Sequence, residues 1–283
     1  MKTIKLLISA GFFAVAWFWG LVCRLAGKKP TTGGVILYYH AIPAEQRHLF
    51  ACQMNVLMRL TKPIKLDSEL SLDSETRYSA VTFDDAFVSV LENALPELEK
   101  RKIPATIFVT TDKMGDYPDW WPESAQYERH EKIASAEQLR RLPTDLVAIG
   151  SHTLRHPMLT TLDEEGARQE LYQSRMKLEA LLNRQVTLFS FPFGDFNLKL
   201  IQWCREAGYK RVFTGLPIAA LHEPASFAMG RVPVNPSDSL LEFRLKVLGA
   251  YRWLPYAFVL KRRILREIRA QLVPTETPKR AQS

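Results

Sequence analysis

Cysteine is scarce in this chain of 283 residues: Cys23, Cys52 and Cys204 are its three, and their separations match no cysteine-based metal site. Cys23 lies inside an apolar run, which leaves at most one disulfide, and the count does not decide a redox compartment. The central part of the chain also lacks a basic surplus. From Arg244 onward there are ten Lys and Arg against two acids, enough to account for the whole net charge of +8. A nucleic-acid binder carries its basic face on the folded domain, so nucleic acid is excluded as a partner and the basic tail suits anionic lipid. No internal repeat or low-complexity tract is present. The 47% hydrophobic and 24% charged content excludes wholesale disorder. The length suits one large domain with appendages, since α/β barrels of about 250 residues are ordinary single domains.

Residues 6–23 form a run of eighteen without a charge, flanked by Lys2 and Lys5 before and Arg24, Lys28 and Lys29 after. That is near the minimum for a spanning helix, about 17 to 25 residues. No small-x-small cleavage site follows it, and Gly20-Leu21-Val22-Cys23 has bulky residues where a lipobox needs small ones. Trp17, Phe18 and Trp19 suit interfacial anchors. The run reads as an uncleaved single-pass anchor in the cytoplasmic (inner) membrane, with a signal sequence as the alternative. The rest of the chain is then expected on the periplasmic, extracytoplasmic side, although the nearly balanced flanking charges set orientation weakly. The expected divisions are residues 1–29 as anchor, 30–250 as the main domain and 251–283 as a basic amphipathic extension. Within that extension, residues 251–254 are expected to pack and residues 261–269 to touch the membrane surface, with a disordered tail from Pro274.

After a short linker, residues 35–39 (Val-Ile-Leu-Tyr-Tyr) make a continuous β-prone run that ends at His40. Phe50, Met54, Leu57 and Leu60 recur at helical spacing, and residues 64–66 suit a short strand. The acidic stretch 67–75 reads as loop or short helix. Residues 78–81 turn apolar, as suits the end of a buried strand, before Thr82-Phe83-Asp84-Asp85-Ala86, and the helix after the Asp pair is expected to break near Pro96. Further strands are expected over 105–110, 146–150, 186–191 and 211–214, with helices over 161–182, capped by Thr161 and Glu164, and over 198–207. Strands alternating with helices at this pitch predict a parallel α/β barrel or a doubly wound sheet.

Four predicted strands end in special residues: His40, Asp84-Asp85, His152 and Pro192-Phe193-Gly194. Barrel enzymes place their chemistry at those ends. Asp84-Asp85 alone is as well explained by a helix N-cap, and His152 and His156 alone by surface or capping histidines. Together they supply two imidazoles and a carboxylate, a donor set that leaves coordination positions open as catalytic Zn²⁺ requires. The pair spaced by four residues meets one ion if the backbone turns helically between them. Trp120 and Trp121, on the loop of residues 112–124, either pack as core or stack on a sugar.

Thr82-Phe83-Asp84-Asp85, Ser151-His152-Thr153-Leu154-Arg155-His156-Pro157 and Phe191-Pro192-Phe193-Gly194 resemble the first three motifs of the NodB-type polysaccharide deacetylase family. Further similarity runs through Tyr38-Tyr39-His40, the Phe50, Gln53 and Leu57 helix, and Gly230-Arg231-Val232-Pro233-Val234, over roughly residues 33–250. The resemblance implies a distorted (β/α)7 barrel and metal-dependent removal of N-acetyl or O-acetyl groups from an acetylated glycan or a lipid-linked sugar of the cell envelope. It implies one divalent ion per chain, Zn²⁺, held by Asp85, His152 and His156, with Asp84 as general base. Backbone N–H groups near Phe193 and Gly194 are expected to help hold the oxyanion. Two departures stand out: Ser190 occupies the place of the third motif's usual Arg, and Ala220-Leu221-His222 is only a partial Leu-x-His motif. Both resemble the exopolysaccharide (poly-N-acetylglucosamine) deacetylase branch, by which His40 is the expected acid; Arg231 is a separate candidate to take over the missing Arg's task of orienting Asp84. The competing readings are a deformylase of a lipid-linked amino sugar and a non-catalytic sugar-binding relative that has lost turnover.

Overall fold

The computed structural model describes residues 2–27, 34–68, 72, 73, 75–125, 127–217, 221 and 226–257. In chain order the elements are α1 (Lys2–Leu25), β1 (Gly34–Tyr39), α2 (Arg47–Leu60), β2 (Lys62–Pro63), β3 (Tyr78–Phe83), α3 (Leu95–Arg101), β4 (Ala105–Val109) and α4 (Ala136–Arg140). They continue as β5 (Val147–Ser151), α5 (Glu164–Leu182), β6 (Leu188–Ser190), α6 (Leu198–Glu206), β7 (Arg211–Thr214), β8 (Ala228–Gly230), β9 (Val232–Pro233) and α7 (Leu240–Val247). Among the described residues the strands form one parallel sheet, ordered β8-β7-β6-β5-β4-β3-β1-β9, with β2 beside β3. The sheet's two ends, β8 and β9, are separated in sequence by Arg231 alone. One stretch of chain therefore pairs with β7 through its first half and with β1 through its second, drawing the sheet into a nearly closed barrel. Counting that stretch once gives seven staves, the number the family resemblance implied.

Side chains on a strand alternate between its two faces, and this parity builds the barrel interior in layers. The lowest is apolar and joins Ile36, Ala80, Phe108, Ala148, Leu188, Phe213 and Met229, one from each stave. Two residues further along are Tyr38, Thr82, Ser190 and Arg231. Two further again on β1, β3 and β5 are His40, Asp84 and His152, the first residues past their strands. Register keeps that rung level: Tyr39 pairs with Phe83, so Asp84 N donates to Tyr39 O at 2.9 Å, and His152 N donates to Val109 O at 2.9 Å. A larger apolar core fills the space between barrel and helices, including Phe50, Met54 and Leu57 of α2 and Ala167, Leu171 and Leu178 of α5. Within it Gln53 accepts from Tyr39 Oη at 2.9 Å and donates to the carbonyls of Asn235, Pro236 and Asp238, tying β1 to the turn after β9.

Several local expectations are corrected. The short strand after α2 covers Lys62–Pro63 rather than residues 64–66, because β4 takes over the edge of β3 from Val81 upward. The segment at Pro96 does not break. A π-turn over Val90–Ala94, closed by Leu95 N to Val90 O, widens the helix just before the proline, which lies in the first turn of α3. Helix α5 is capped by Asp163, whose Oδ1 accepts from Gly166 N at 2.8 Å, since the Thr161 hydroxyl already donates to Met158 O. Strand β6 is shorter than residues 186–191: Val186 N is held by Glu179, and Pro192 has no N–H to extend the ladder.

Helix α1 carries a stretch long and apolar enough to cross a membrane, Ile4–Cys23, with mean hydropathy 2.1 and Trp17, Phe18 and Trp19 exposed. A signal sequence shares those properties. One narrow stripe of α1 is covered: Leu6 and Phe13, like Leu254, pack on the cluster of Leu245, Ala250 and Tyr251, and Trp253 Nε1 donates to Ser9 Oγ at 2.9 Å. Residues 251–254 thus pack against α7 and α1. Most of the linker before Gly34, His222, residues 261–269 and the tail from Pro274 lie outside the described residues.

Candidate metal centre and active site

Asp84 leaves β3 pointing inward, where the guanidinium of Arg231 meets it through two bonds of 2.7 Å, Nη1 to Oδ1 and Nη2 to Oδ2. The remaining contacts of Arg231 hold it in place. Nη1 donates to Thr82 Oγ1 at 3.1 Å, Nη2 donates to Ser190 Oγ at 2.7 Å, and the Tyr38 ring lies 4.6 Å away. Arg231 is 1% exposed. Burial pushes the Asp84 pKa up, but Arg231 and the imidazoles of His152 and His40 outweigh it and hold the carboxyl well below the usual range. Asp84 is therefore an ionised carboxylate with its base strength tempered and its orientation fixed.

Asp85 adopts φ +68° and Ala86 φ +54°, so the chain departs from strand geometry and swings the second carboxylate away from the first. Asp85 Oδ1 lies 3.4 Å from His156 Nε2 and 3.7 Å from His152 Nε2, and the two imidazole nitrogens are 3.2 Å apart. All three side chains are buried. The backbone between the histidines is not helical, so they come together without the helical turn that the spacing made a condition: Thr153 (φ +69°) and His156 (φ +62°) are left-handed, and the Thr153 hydroxyl accepts from His156 N at 3.0 Å. Buried Glu170 of α5 anchors this loop, accepting from Leu154 N, Arg155 N and Arg155 Nε at 2.8, 3.1 and 2.9 Å.

This donor set fits a divalent ion. Both Asp85 oxygens are buried without a hydrogen-bond partner, an arrangement that costs free energy unless a cation compensates it. Burial and the nearby Asp84 push the Asp85 pKa well up, while the indole N–H groups of Trp120 and Trp121 pull it down without completing hydrogen bonds. Burial lowers His152 to about 4 and, with His152 adding to it, His156 to about 2, so both rings are neutral as metal ligands must be. His152 Nδ1 lies 2.8 Å from Ser190 O, which leaves Nε2 with its lone pair facing Asp85. Two imidazoles and a carboxylate are donors that Zn²⁺ accepts.

A cavity of about 260 Å³ opens over these groups, lined also by His40, Trp120, Trp121, Phe193 and Gly194. Trp120 stacks on His156 with ring centroids 4.2 Å apart, and Trp121 meets His40 edge-on at 5.0 Å. Burial lowers the His40 pKa from its usual 6.5, partly countered by Asp84. Pro192 starts the turn but does not reach the cavity wall. Of the two backbone N–H groups expected to face an oxyanion, that of Gly194 is already engaged, donating to Phe191 O at 2.9 Å. What Gly194 supplies is close approach, since a Cβ there would lie 2.7 Å from Gly215 Cα, at a φ of +66°. Ser190, Thr153 and Glu170 were missed as supporting residues. Glu170 carried a signal, a charge three positions from Ala167 on the apolar face of its helix.

Arg231→Met is expected to strip Asp84 of its buried partner at a cost of about 3–5 kcal/mol. Chemical denaturation of the variant beside the wild type measures it; an unchanged midpoint would contradict the pairing.

Residues 72–212 match the family model described as polysaccharide deacetylase. The Bacillus subtilis (strain 168) protein YxkH, a polysaccharide deacetylase by name, is 28% identical over 171 residues, covering 60% of this chain and 54% of that relative. The poly-beta-1,6-N-acetyl-D-glucosamine N-deacetylase of Staphylococcus aureus (strain MRSA252) is 24% identical over 176 residues, covering 59% and 57%. The chain thus spans about half the length of the curated relatives it matches. The solved structure of IcaB from Ammonifex degensii shares the fold, with TM-score 0.61 and 24% identity over 78% of this chain and 97% of that one. The segment that matches the family model runs from before β3 to the start of β7 and carries Asp84, Asp85, His152 and His156, and in it the chain is similar to the polysaccharide deacetylase family.

Proposed function

We propose that the protein is a metal-dependent deacetylase that removes N-acetyl groups from amino-sugar units of an envelope polysaccharide, held at the membrane by α1. The observation that carries this reading is the pairing, in one cavity, of the Asp85, His152 and His156 triad with an Asp84 kept ionised by Arg231. Bound to the triad, a divalent ion such as Zn²⁺, one per chain, supplies positive charge that polarises the acetyl carbonyl and makes a nearby water more acidic. Asp84 takes the water's proton as general base, Arg231 keeping its oxygens in a fixed plane. Phe193 N–H is the backbone donor offered to the developing oxyanion. His40, across the cavity, delivers a proton to the leaving amine.

Of the two sequence departures that suggested a non-catalytic relative, the missing third-motif Arg is offset by Arg231, which supports turnover. Arg231 enters from the barrel seam and bonds Ser190 Oγ, so a guanidinium reaches the base although the third motif lacks its own. Topology favours a glycan chain over a lipid-linked sugar: the site lies past the C-terminal ends of β1, β3 and β5, whereas α1 packs on the end of α7 and the residues after it. The Staphylococcus aureus relative acts, by its name, on poly-beta-1,6-N-acetyl-D-glucosamine, which makes that polymer the first substrate to try. Acetate release from N-acetylglucosamine oligomers, compared with formate release from their N-formyl counterparts, tests the reading. Acetate is expected, and formate alone would turn the assignment to a deformylase.

If His40 is the acid, the rate falls on the alkaline side as its imidazole loses the proton, with a midpoint drawn below the usual 6.5 by burial. His40→Ala is expected to lower kcat about 100- to 10,000-fold and to abolish that limb of the pH–rate profile. An alkaline limb that survives the substitution would move the acid's role to another group.

A further inference from the structure

Metal ligands are normally held by hydrogen bonds from outside the ligand set, a histidine through its second ring nitrogen and a carboxylate through its free oxygen. Among the described residues this centre has one such bond, between His152 Nδ1 and Ser190 O. His156 Nδ1 and both Asp85 oxygens are buried without a hydrogen-bond partner. What lies against them is a pair of tryptophans. Trp120 stacks on His156 with the ring planes 18° apart, and Phe193 meets the same imidazole edge-on at 4.7 Å. Aromatic packing therefore fixes the His156 ring, although its Nδ1 is tied to nothing. The stacked face of Trp120 is at the same time closed to a sugar.

The polar ends of the two indoles complete the pattern. Nε1 of Trp120 and Nε1 of Trp121 are buried donors with no acceptor, and both draw the Asp85 pKa down against the burial that raises it. Two orphaned donors thus lie beside two orphaned acceptors, and each is costly while it stays unpaired. Oδ1 is the Asp85 oxygen near the histidine nitrogens, at 3.4 and 3.7 Å. An ion shared with those nitrogens takes that oxygen and leaves the other to accept.

We infer that Trp120 and Trp121 are positioning residues for the metal centre: their indole N–H groups close onto the free Asp85 oxygen when the ion is bound, and the Trp120 ring holds the plane of His156 in place of a hydrogen bond. The inference rests on the reading of Asp85, His152 and His156 as metal ligands, and it gives the tryptophans a task separate from contact with the glycan.

Zinc affinity tests it without any need for turnover, by competition with a chromophoric chelator on the full-length protein. Trp120→Phe and Trp121→Phe keep a ring and remove the N–H, and each is expected to weaken Zn²⁺ binding about tenfold or more, as loss of such supporting bonds does. Unchanged affinity in either variant would overturn the role of that tryptophan, whatever happens to metal-free stability. Where a variant fails to fold, NMR of the wild type decides. Of its six indole N–H signals, those of Trp120 and Trp121 are expected to move downfield when Zn²⁺ is added, because a new hydrogen bond deshields the proton. If that pair stays in place while Zn²⁺ binds, the inference is overturned and the metal centre stands. A wild type that binds no Zn²⁺ would overturn the metal centre and the inference with it.

Discussion

Asp84→Asn is expected to lower acetate release about 100- to 10,000-fold, the range that a positioned general base contributes, while the protein still binds its metal. The separation follows from geometry. Asp84 accepts both of its strong hydrogen bonds from Arg231 and lies on the inward face of β3, whereas the swing at Asp85 sends only the second carboxylate to the histidines. An Asn keeps the shape and one acceptor but cannot take a proton from water. Its amide N–H₂ also faces the guanidinium, so some stability is lost as well. Metal content measured on the same preparation tells base from ligand: a variant that loses both metal and activity would make Asp84 part of the metal site.

Asp85→Asn carries the second large expectation, and its sign depends on the metal. In the metal-free protein Asp85 has two buried oxygens with no hydrogen-bond partner, beside a second buried carboxylate. The variant's amide ends the repulsion with Asp84 and can donate to the neutral imidazoles, which is expected to stabilise the metal-free fold by about 1–3 kcal/mol, the scale of one buried hydrogen bond gained or lost. With metal present the order reverses. The wild type gains stability by mass action, about 2.7 kcal/mol at a metal concentration 100 times Kd, and the variant gains little. Unfolding midpoints with and without Zn²⁺ for both proteins give the four values needed. A variant less stable than the wild type in the metal-free state would contradict the account of Asp85 as a site held open for a cation.

Much of this arrangement was legible because strand parity is simple. Ile36, Tyr38 and His40, or Ala80, Thr82 and Asp84, fall two apart and therefore on one face, so a strand ending in a histidine or an aspartate announces an inward functional residue. The family motifs then joined those ends into one site. What the sequence concealed was contact between distant segments. The sequence offers Arg231 only as a substitute for the Arg missing at Ser190; its bond to Ser190 Oγ, 41 positions earlier, comes from barrel closure at the β8–β9 seam, which no local pattern contains. The four-residue spacing of His152 and His156 suggested a shared ion only on condition of a helical turn, and the histidines meet without one. The shape of the loop between them is decided instead by the Thr153 hydroxyl and by Glu170 from α5, long-range terms that a local pattern does not contain. Pro96 shows the same limit in a milder form, its helix rescued by a π-turn that helical periodicity does not foresee.

The most direct test of the central claim is metal content measured together with acetate release on one preparation of the full-length protein. The account predicts about one divalent ion per chain, loss of acetate release when a chelator removes it, and recovery when Zn²⁺ is restored. Acetate release that continues undiminished in metal-depleted protein would contradict it.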